Sequence, residues 1–472
     1  MSALPEDFKF GVATAAFQIE GGAFEDGRGQ SIWDVFCRVP GAVLNGDTGD
    51  VACDHFHRWE EDLDLMVELG IESYRFSIAW PRIVPTGAIA VNERGLAFYR
   101  RLAEGLLERG IEPVATLYHW DLPQPLQDRG GWVARGTAER FAEFASVVAT
   151  DLRDVVTRWI TQNEPWCSGF LGYAEGRKAP GIRHWPSAVA ATHHLLLSHG
   201  LATEAIRAAV GEKAEVGIAL NLSPVHPADP SSQADVAAAH RQDGYLNRWF
   251  LDPVFLGEYP QDMLDLFTAE YGPEVLEPIR DGDLETISTP IDFLGVNYYN
   301  PMRMAAAPEL APLRLEFAPP HEPTTAMGWE VDPDGLHTVL KRIVTAYRDL
   351  PIYITENGAA YDDPDHLPDG EARAPADPER TAYLEGHLAA LRRAVEDGVD
   401  VRRYFVWSFL DNFEWEEGYA KRFGIVHVDY DTQRRVPKES ALWYRDHIAA
   451  TRADDDGAPA AAGALTNTSG GD

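Results

Sequence analysis

Cysteine is the scarcest reactive residue in this chain of 472 residues: only Cys37, Cys53 and Cys167 occur, with no CxxC pair. An odd, scattered set builds no disulfide framework and matches no metal-cluster spacing, so reduced thiols in a reducing compartment are expected. Long hydrophobic runs are also lacking. No stretch approaches the roughly eighteen apolar residues that a membrane span requires. The start, MSALPEDFKFGVATAAF, has neither a basic segment leading into an apolar run nor an export cleavage signal. A cytoplasmic location is the resulting expectation. Positive charge is short as well: 41 basic against 75 acidic residues leave a net charge of −34, which repels phosphate backbones and anionic membranes. Nucleic acid and membrane partners are therefore not expected. GGAFEDGRG, from Gly21, lacks the GxGxxG spacing of a dinucleotide loop. His55 with His57, and His193 with His194, have no third ligand at metal-site spacing and read as packing residues. No cofactor and no metal are expected.

Apolar residues make up 45% of the chain and aromatics 11%, with 13 tryptophans, which suits a globular protein with an aromatic-rich cavity. Short apolar or β-branched runs alternate with stretches of helical period about eight times. The candidate strands are FKFGVATA from Phe8, ESYRFSIAW from Glu72, EPVATLYH from Glu112, VTRWITQNE from Val156, EVGIALNL from Glu215, DFLGVNYY from Asp292, PIYITEN from Pro351 and VRRYFVWSF from Val401. Segments such as those from His57, Gly95 and Arg380 carry helical spacing and stop at glycine. This is the pattern of an α/β protein, a single (β/α)8 TIM barrel over residues 1–452 whose strand C-termini form the active face. Two stretches depart from the rhythm, 305–334 and 362–377, and read as loops over that face. The tail, 453–472, is poor in large apolar residues and is expected to be disordered.

Two glutamates are the most informative residues. Glu164 in TQNEP and Glu356 in ITENG each close an apolar run at a strand end. An isolated glutamate there would be an ordinary surface residue; as a pair these read as an acid and a nucleophile. Glycoside hydrolysis with retention needs two carboxyls, roughly 5–5.5 Å apart, one to protonate the leaving oxygen and one to attack the anomeric carbon.

Together with FQIEGG at Phe17, YRFSIAWPRI at Tyr74, YHWDLPQPL at Tyr118, GVNYYNP at Gly295 and VWSFLDNFEWEEGY at Val406, the two motifs resemble family 1 glycoside hydrolases of the β-glucosidase type, from about Phe8 to Tyr444. The resemblance implies that Glu164 is the acid and base and Glu356 the nucleophile, with Arg75 and Tyr299 as its charge and hydrogen-bond partners. It implies that Gln18, His119, Trp120, Asn163, Asn297, Trp329, Glu414, Trp415 and Phe423 bind the substrate, with Trp407 as the stacking floor of the sugar, and a cis peptide between Trp407 and Ser408. Trp166, Cys167, Leu171, Lys178, Asn221 and Trp329 are the entrance candidates; many relatives carry His where Lys178 stands. Relatives acting on 6-phosphorylated sugars lack the Glu414–Trp415 pair, so the expected substrates are small β-glucosides and cello-oligosaccharides, with β-galactosides and β-fucosides accepted. Transglycosylation and a noncatalytic sugar-binding role remain as alternatives, and the oligomeric state is not legible.

Overall fold

The computed structural model describes residues 4–87, 90–367 and 375–457, without the side chains of 454–457. Eleven strands carry the architecture discussed below: β1 (Lys9–Ala13), β2 (Ser73–Ser77), β3 (Glu112–Tyr118), β4 (Arg158–Asn163), β5 (Glu215–Asn221), β6 (Val225–Pro227), β7 (Phe293–Asn297), β8 (Met302–Ala306), β9 (Leu315–Phe317), β10 (Ile352–Asn357) and β11 (Val401–Trp407). Eight of them close a barrel in the order β1-β11-β10-β7-β5-β4-β3-β2, all pairs parallel. Each of the eight candidate strands supplies one of these. Such strands are covered on both faces and so lack simple alternation; every residue of β2 and of β10 is buried.

Two apolar layers hold the barrel. Ala13, Val114, Ile160, Ala219, Phe293, Tyr353 and Phe405 form the interior cluster, and a larger cluster joins the outer strand faces to the surrounding helices. Helices at His55–Glu68, Glu93–Glu108 and Pro378–Glu396 correspond to three of the helical segments in the sequence. The strand N-terminal end is tied by ion pairs, Arg403 to Glu112 at 2.7 Å and Arg158 to Glu112 and Glu215 at 2.9 Å each, so the charges there are paired rather than buried alone.

Two expectations change. The stretch 305–334 is not only loop: β9 pairs antiparallel with β8, and β6 pairs with β8 from the other side, because so long a segment must find partners for its backbone groups. The final helix runs over Glu439–Gly457 rather than stopping at 452, since an established helix extends at little cost through polar residues; 458–472 lie outside the described residues. Of the stretch 362–377, residues 368–374 also lie outside them. Among the described residues no helix is long and apolar enough to cross a membrane.

Candidate active site

A cavity of about 590 Å³ opens at the C-terminal ends of the strands, and Glu164 and Glu356 both line it. Their aim has a local cause. The pairing register slips between Ile160 and Asn163 on β4, and between Ile354 and Glu356 on β10; such bulges redirect side chains at barrel rims. Glu164 then takes φ +48°, a left-handed conformation rare outside glycine. Trp120 (φ +77°) and Trp415 (φ +49°) share that conformation and line the same cavity. On the far side of Glu356, a Cβ on Gly358 would lie 1.7 Å from the Trp407 carbonyl oxygen, so only glycine fits where the ITENG loop passes Trp407. The Trp407–Ser408 peptide is cis.

The two carboxyls sit in different chemical settings. Glu356 accepts from Arg75 Nη1 at 2.6 Å on one oxygen and from the Tyr299 hydroxyl at 2.6 Å on the other. Glu164 accepts from Asn297 Nδ2 at 2.7 Å and from the Cys167 thiol at 3.1 Å. Asn163 links the halves, its Oδ1 accepting from Arg75 at 2.6 Å and Asn297 at 3.0 Å. Burial pushes Glu356 up to about 7, against the pull of the Arg75 guanidinium and with the Glu164 carboxyl adding to the rise. The same burial, followed by the two glutamates, holds Tyr299 well above the usual phenol range, so it stays a donor.

Around them lies a set of directional groups and rings. The Asn163 amide, its oxygen already committed, donates to His119 Nε2 at 3.2 Å. Burial first, then Arg75 and Lys178, keeps His119 neutral, so its Nδ1 carries the hydrogen; that atom is buried and has no protein partner, like Gln18 Oε1 and Trp166 Nε1. Gln18 Nε2 donates to Phe413 O at 2.8 Å and Asn412 Oδ1 at 3.0 Å, with Glu414 at 3.5 Å. The His119 ring stacks at 5.6 Å on Trp407 and 5.9 Å on Trp415, and Trp120 meets Trp415 at 4.5 Å. Trp329 and Phe423 pack around Tyr299 at 5.4 and 6.1 Å. Of the site residues expected from the sequence, all line the cavity except Arg75, Gln18 and Asn163, which are buried beside it.

All six entrance candidates line the cavity too, but Cys167 reaches the Glu164 carboxyl itself. Lys178 donates to Glu416 at 2.7 Å and sits 4.9 Å above the Trp120 ring. Burial raises Glu414 to about 8, with Lys178 opposing. Glu416, Arg303, Glu330 and Phe317, which sequence reasoning passed over, also face the cavity; their pairings span up to 238 residues and leave no local signal. The histidine pairs have protein partners: His55 bonds Asp62, His57 bonds Asp54 and Glu25, His193 bonds Asp283 and Tyr259, and His194 bonds the Trp132 carbonyl.

The profile of glycosyl hydrolase family 1 matches residues 1–453. The chain is 50% identical over 452 residues to the thermostable beta-glucosidase B of Thermobispora bispora, covering 94% of this chain and 90% of that protein. It is 46% identical over 461 residues to the bifunctional beta-D-glucosidase/beta-D-fucosidase of Bifidobacterium breve, covering 94% and 98%. The family 1 β-glucosidase of Thermotoga maritima superimposes with a TM-score of 0.89 at 43% identity, covering 95% of this chain and 98% of that one.

Proposed function

The chain belongs to glycosyl hydrolase family 1, and on that footing we propose how its residues divide the work of a retaining β-glucosidase. The enzyme hydrolyses terminal non-reducing β-D-glucosyl residues by double displacement through a covalent glycosyl-enzyme. In the first half-reaction Glu356 attacks the anomeric carbon while Glu164 gives its proton to the departing oxygen, breaking the glycosidic bond. Ester formation removes the negative charge of Glu356. Glu164, now an anion, takes a proton from water, which attacks the anomeric carbon, frees the sugar in its original configuration and returns Glu356 as a carboxylate.

The observation that carries this division is the contrast in partners. A guanidinium and a phenol stabilise an anion at Glu356, whereas an amide and a weakly donating thiol at Glu164 suit a carboxyl that cycles between protonated and ionised forms. Asn163, fixed by Arg75 and Asn297, holds the sugar 2-hydroxyl, a contact that strengthens at the transition state. Gln18, His119 and Glu414 hold the outer hydroxyls, and Trp407 and Trp415 supply the stacking surface. Trp120 and Asn297 act one step back, the former beneath Trp415 and the latter on Glu164. Trp329 and Phe423 flank Tyr299 where the leaving group departs.

Small β-glucosides and cello-oligosaccharides are the proposed substrates, with a glycone range that extends to β-galactosides and β-fucosides. A phosphorylated sugar is disfavoured, because Glu414 stands where a phosphate would need a cation and the Lys421 ammonium is taken by the Ala326 carbonyl at 2.7 Å. Three free, buried cysteines support a cytoplasmic location, and a role in using products of cellulose breakdown goes with the proposed cello-oligosaccharide substrates. The test is product stereochemistry: NMR of the first sugar released from a nitrophenyl β-glucoside should show the β anomer. In azide, Glu356→Ala should yield the α-glucosyl azide and Glu164→Ala the β form. Reversed anomers would exchange the two roles, and less than about a hundredfold loss in both variants would place the site elsewhere.

A further inference from the structure

Six charged side chains, Asp363, Asp377, Arg380, Asp411, Arg422 and Lys438, are packed together with no more than 4% of any of them exposed. None lines the catalytic cavity. Buried charges are costly unless they are paired, and here three cations meet three carboxylates. Lys438 Nζ donates to Asp363 Oδ2 at 2.6 Å and to Asp411 Oδ1 at 2.7 Å. Arg380 donates to the same Asp363 oxygen at 2.6 Å and also to Asp377, while Arg422 donates to Asp411 Oδ2 at 2.9 Å. Burial, then Arg380, pulls the Lys438 ammonium down, with Asp411 and Asp363 opposing. Burial would lift the Asp411 carboxyl, yet Lys438, Arg422 and Arg380 hold it below its usual range.

The cluster joins two strand exits that the reaction uses. Asp363 follows β10, which carries Glu356, and Asp411 follows β11, which ends at Trp407. On the first side, Arg380 Nε donates at 3.3 Å to the carbonyl of Ala359, in the loop just past Glu356. On the second, Asp411 Oδ1 also accepts the Gly424 N–H at 3.0 Å, and a Cβ on Gly424 would lie 2.0 Å from the Asp411 nitrogen, so the two backbones pass in close contact. Gly424 follows Phe423, whose carbonyl accepts the Ser408 N–H at 3.2 Å; Phe423 and Trp407 both line the cavity. A continuous path thus runs Ala359–Arg380–Asp363–Lys438–Asp411–Gly424. A second tie, from Arg380 to the Arg422 carbonyl at 2.9 Å, holds the exits together if the first is cut. On the reading that Glu356 is the nucleophile and Trp407 lies under the sugar, we propose that Asp363 is a positioning residue that, by bridging Arg380 and Lys438, sets the nucleophile's loop against the stacking wall.

The test measures kcat and KM of Asp363→Ala on 4-nitrophenyl β-glucoside, beside Asp363→Asn and Glu356→Ala. Asp363→Ala cuts the bridge while each cation keeps a carboxylate, Arg380 on Asp377 and Lys438 on Asp411. A shift of about 1 Å in reacting groups can cost about a hundredfold, so kcat should fall about ten- to a hundredfold. Alignment is felt in the transition state more than in binding, so KM should stay within about threefold. A near-ultraviolet circular dichroism spectrum like that of the wild type should show that the loss is not unfolded protein. Asp363→Asn keeps an acceptor oxygen between the two cations and should recover most of the rate. Should Asp363→Ala fail to fold, the charge-neutral pair Asp363→Ala/Lys438→Met takes its place with the same expectation. Wild-type kcat in the folded variant overturns the proposal, as does a loss that appears in KM alone; both leave the nucleophile assignment standing. Less than about a hundredfold loss in Glu356→Ala would instead remove that assignment, and the proposal with it.

Discussion

Removing one oxygen from the site should move its pH profile. In Tyr299→Phe the hydroxyl that donates to Glu356 at 2.6 Å is lost, while the Arg75 contact on the other carboxylate oxygen remains. A hydrogen bond to a charged group contributes about 1.5–3 kcal/mol, and one pH unit corresponds to about 1.4 kcal/mol. The anion at Glu356 is the form being stabilised, so its loss raises an ionisation already lifted to about 7 by burial. The acid limb of kcat/KM, which reports the free enzyme, should therefore shift upward by about one to two units. At pH below 7 the variant should be slower by about ten- to a hundredfold, with the deficit shrinking as pH rises. The assay is initial rate on 4-nitrophenyl β-glucoside from pH 5 to 10, with Tyr298→Phe as control. That neighbouring hydroxyl donates to the Asp332 carbonyl at 2.7 Å, away from the nucleophile, and its removal should leave the limb in place. A uniform loss at every pH, with the limb unmoved, would mean that Tyr299 acts on geometry alone, and a downward shift would refute the charge argument.

Three further outcomes follow from other parts of the structure. Asp121 is buried with both carboxyl oxygens unpartnered, and burial lifts it to about 8. The folded chain thus keeps a proton that the unfolded chain releases near pH 4, and stability falls as pH climbs from about 4 to 8; Asp121→Asn should flatten that fall by a few kcal/mol at most, and an equal fall in both proteins, measured by denaturant midpoints at pH 5 and pH 8, would refute it. Lys178 opposes the burial that lifts Glu414 to about 8, so Lys178→Ala should raise KM several-fold at pH 6 to 7 and less at pH 9, with Lys178→Arg close to wild type; a pH-independent KM change would count against the charge role. Gly358→Ala should lower the thermal midpoint sharply, because its Cβ would meet the Trp407 carbonyl at 1.7 Å, and an unchanged midpoint in a melting scan would show that the loop yields freely.

The barrel was legible because its signal is local and repeated. Runs such as VGIAL and FLGV are apolar on both faces, and only doubly covered strands tolerate that; the observed β5 and β7 begin within a residue of where the candidate runs begin. Glu164 and Glu356 were legible for a similar reason, since each lies in a short motif at a strand end. What escaped depends on distance. The sheet of β6, β8 and β9 consists of strands of three to five residues, too short for period 2 to register, and β6 arrives from about 80 residues upstream. Cys167 read as an entrance residue, yet the one helical turn after Glu164 brings its thiol back onto the carboxyl. Lys178 could be read as unusual but not understood, because Glu416, which holds it, lies 238 residues away. Phe317 was invisible for the opposite reason: no pattern in sequence marks a phenylalanine that stays uncovered.

The left-handed backbone at Trp120, Glu164 and Trp415 sets selection for durability against selection for turnover. Each non-glycine residue held there costs about 1–3 kcal/mol, which together is a sizeable share of the 5–15 kcal/mol that typically separates folded from unfolded protein. Glycine would relieve that cost at all three positions while deleting a cavity-lining ring or the Glu164 carboxyl. A laboratory evolution experiment that rewards heat resistance alone should therefore enrich glycine at 120, 164 and 415 and yield sturdy, inactive proteins. Lineages that keep these residues are those in which catalysis is still being used.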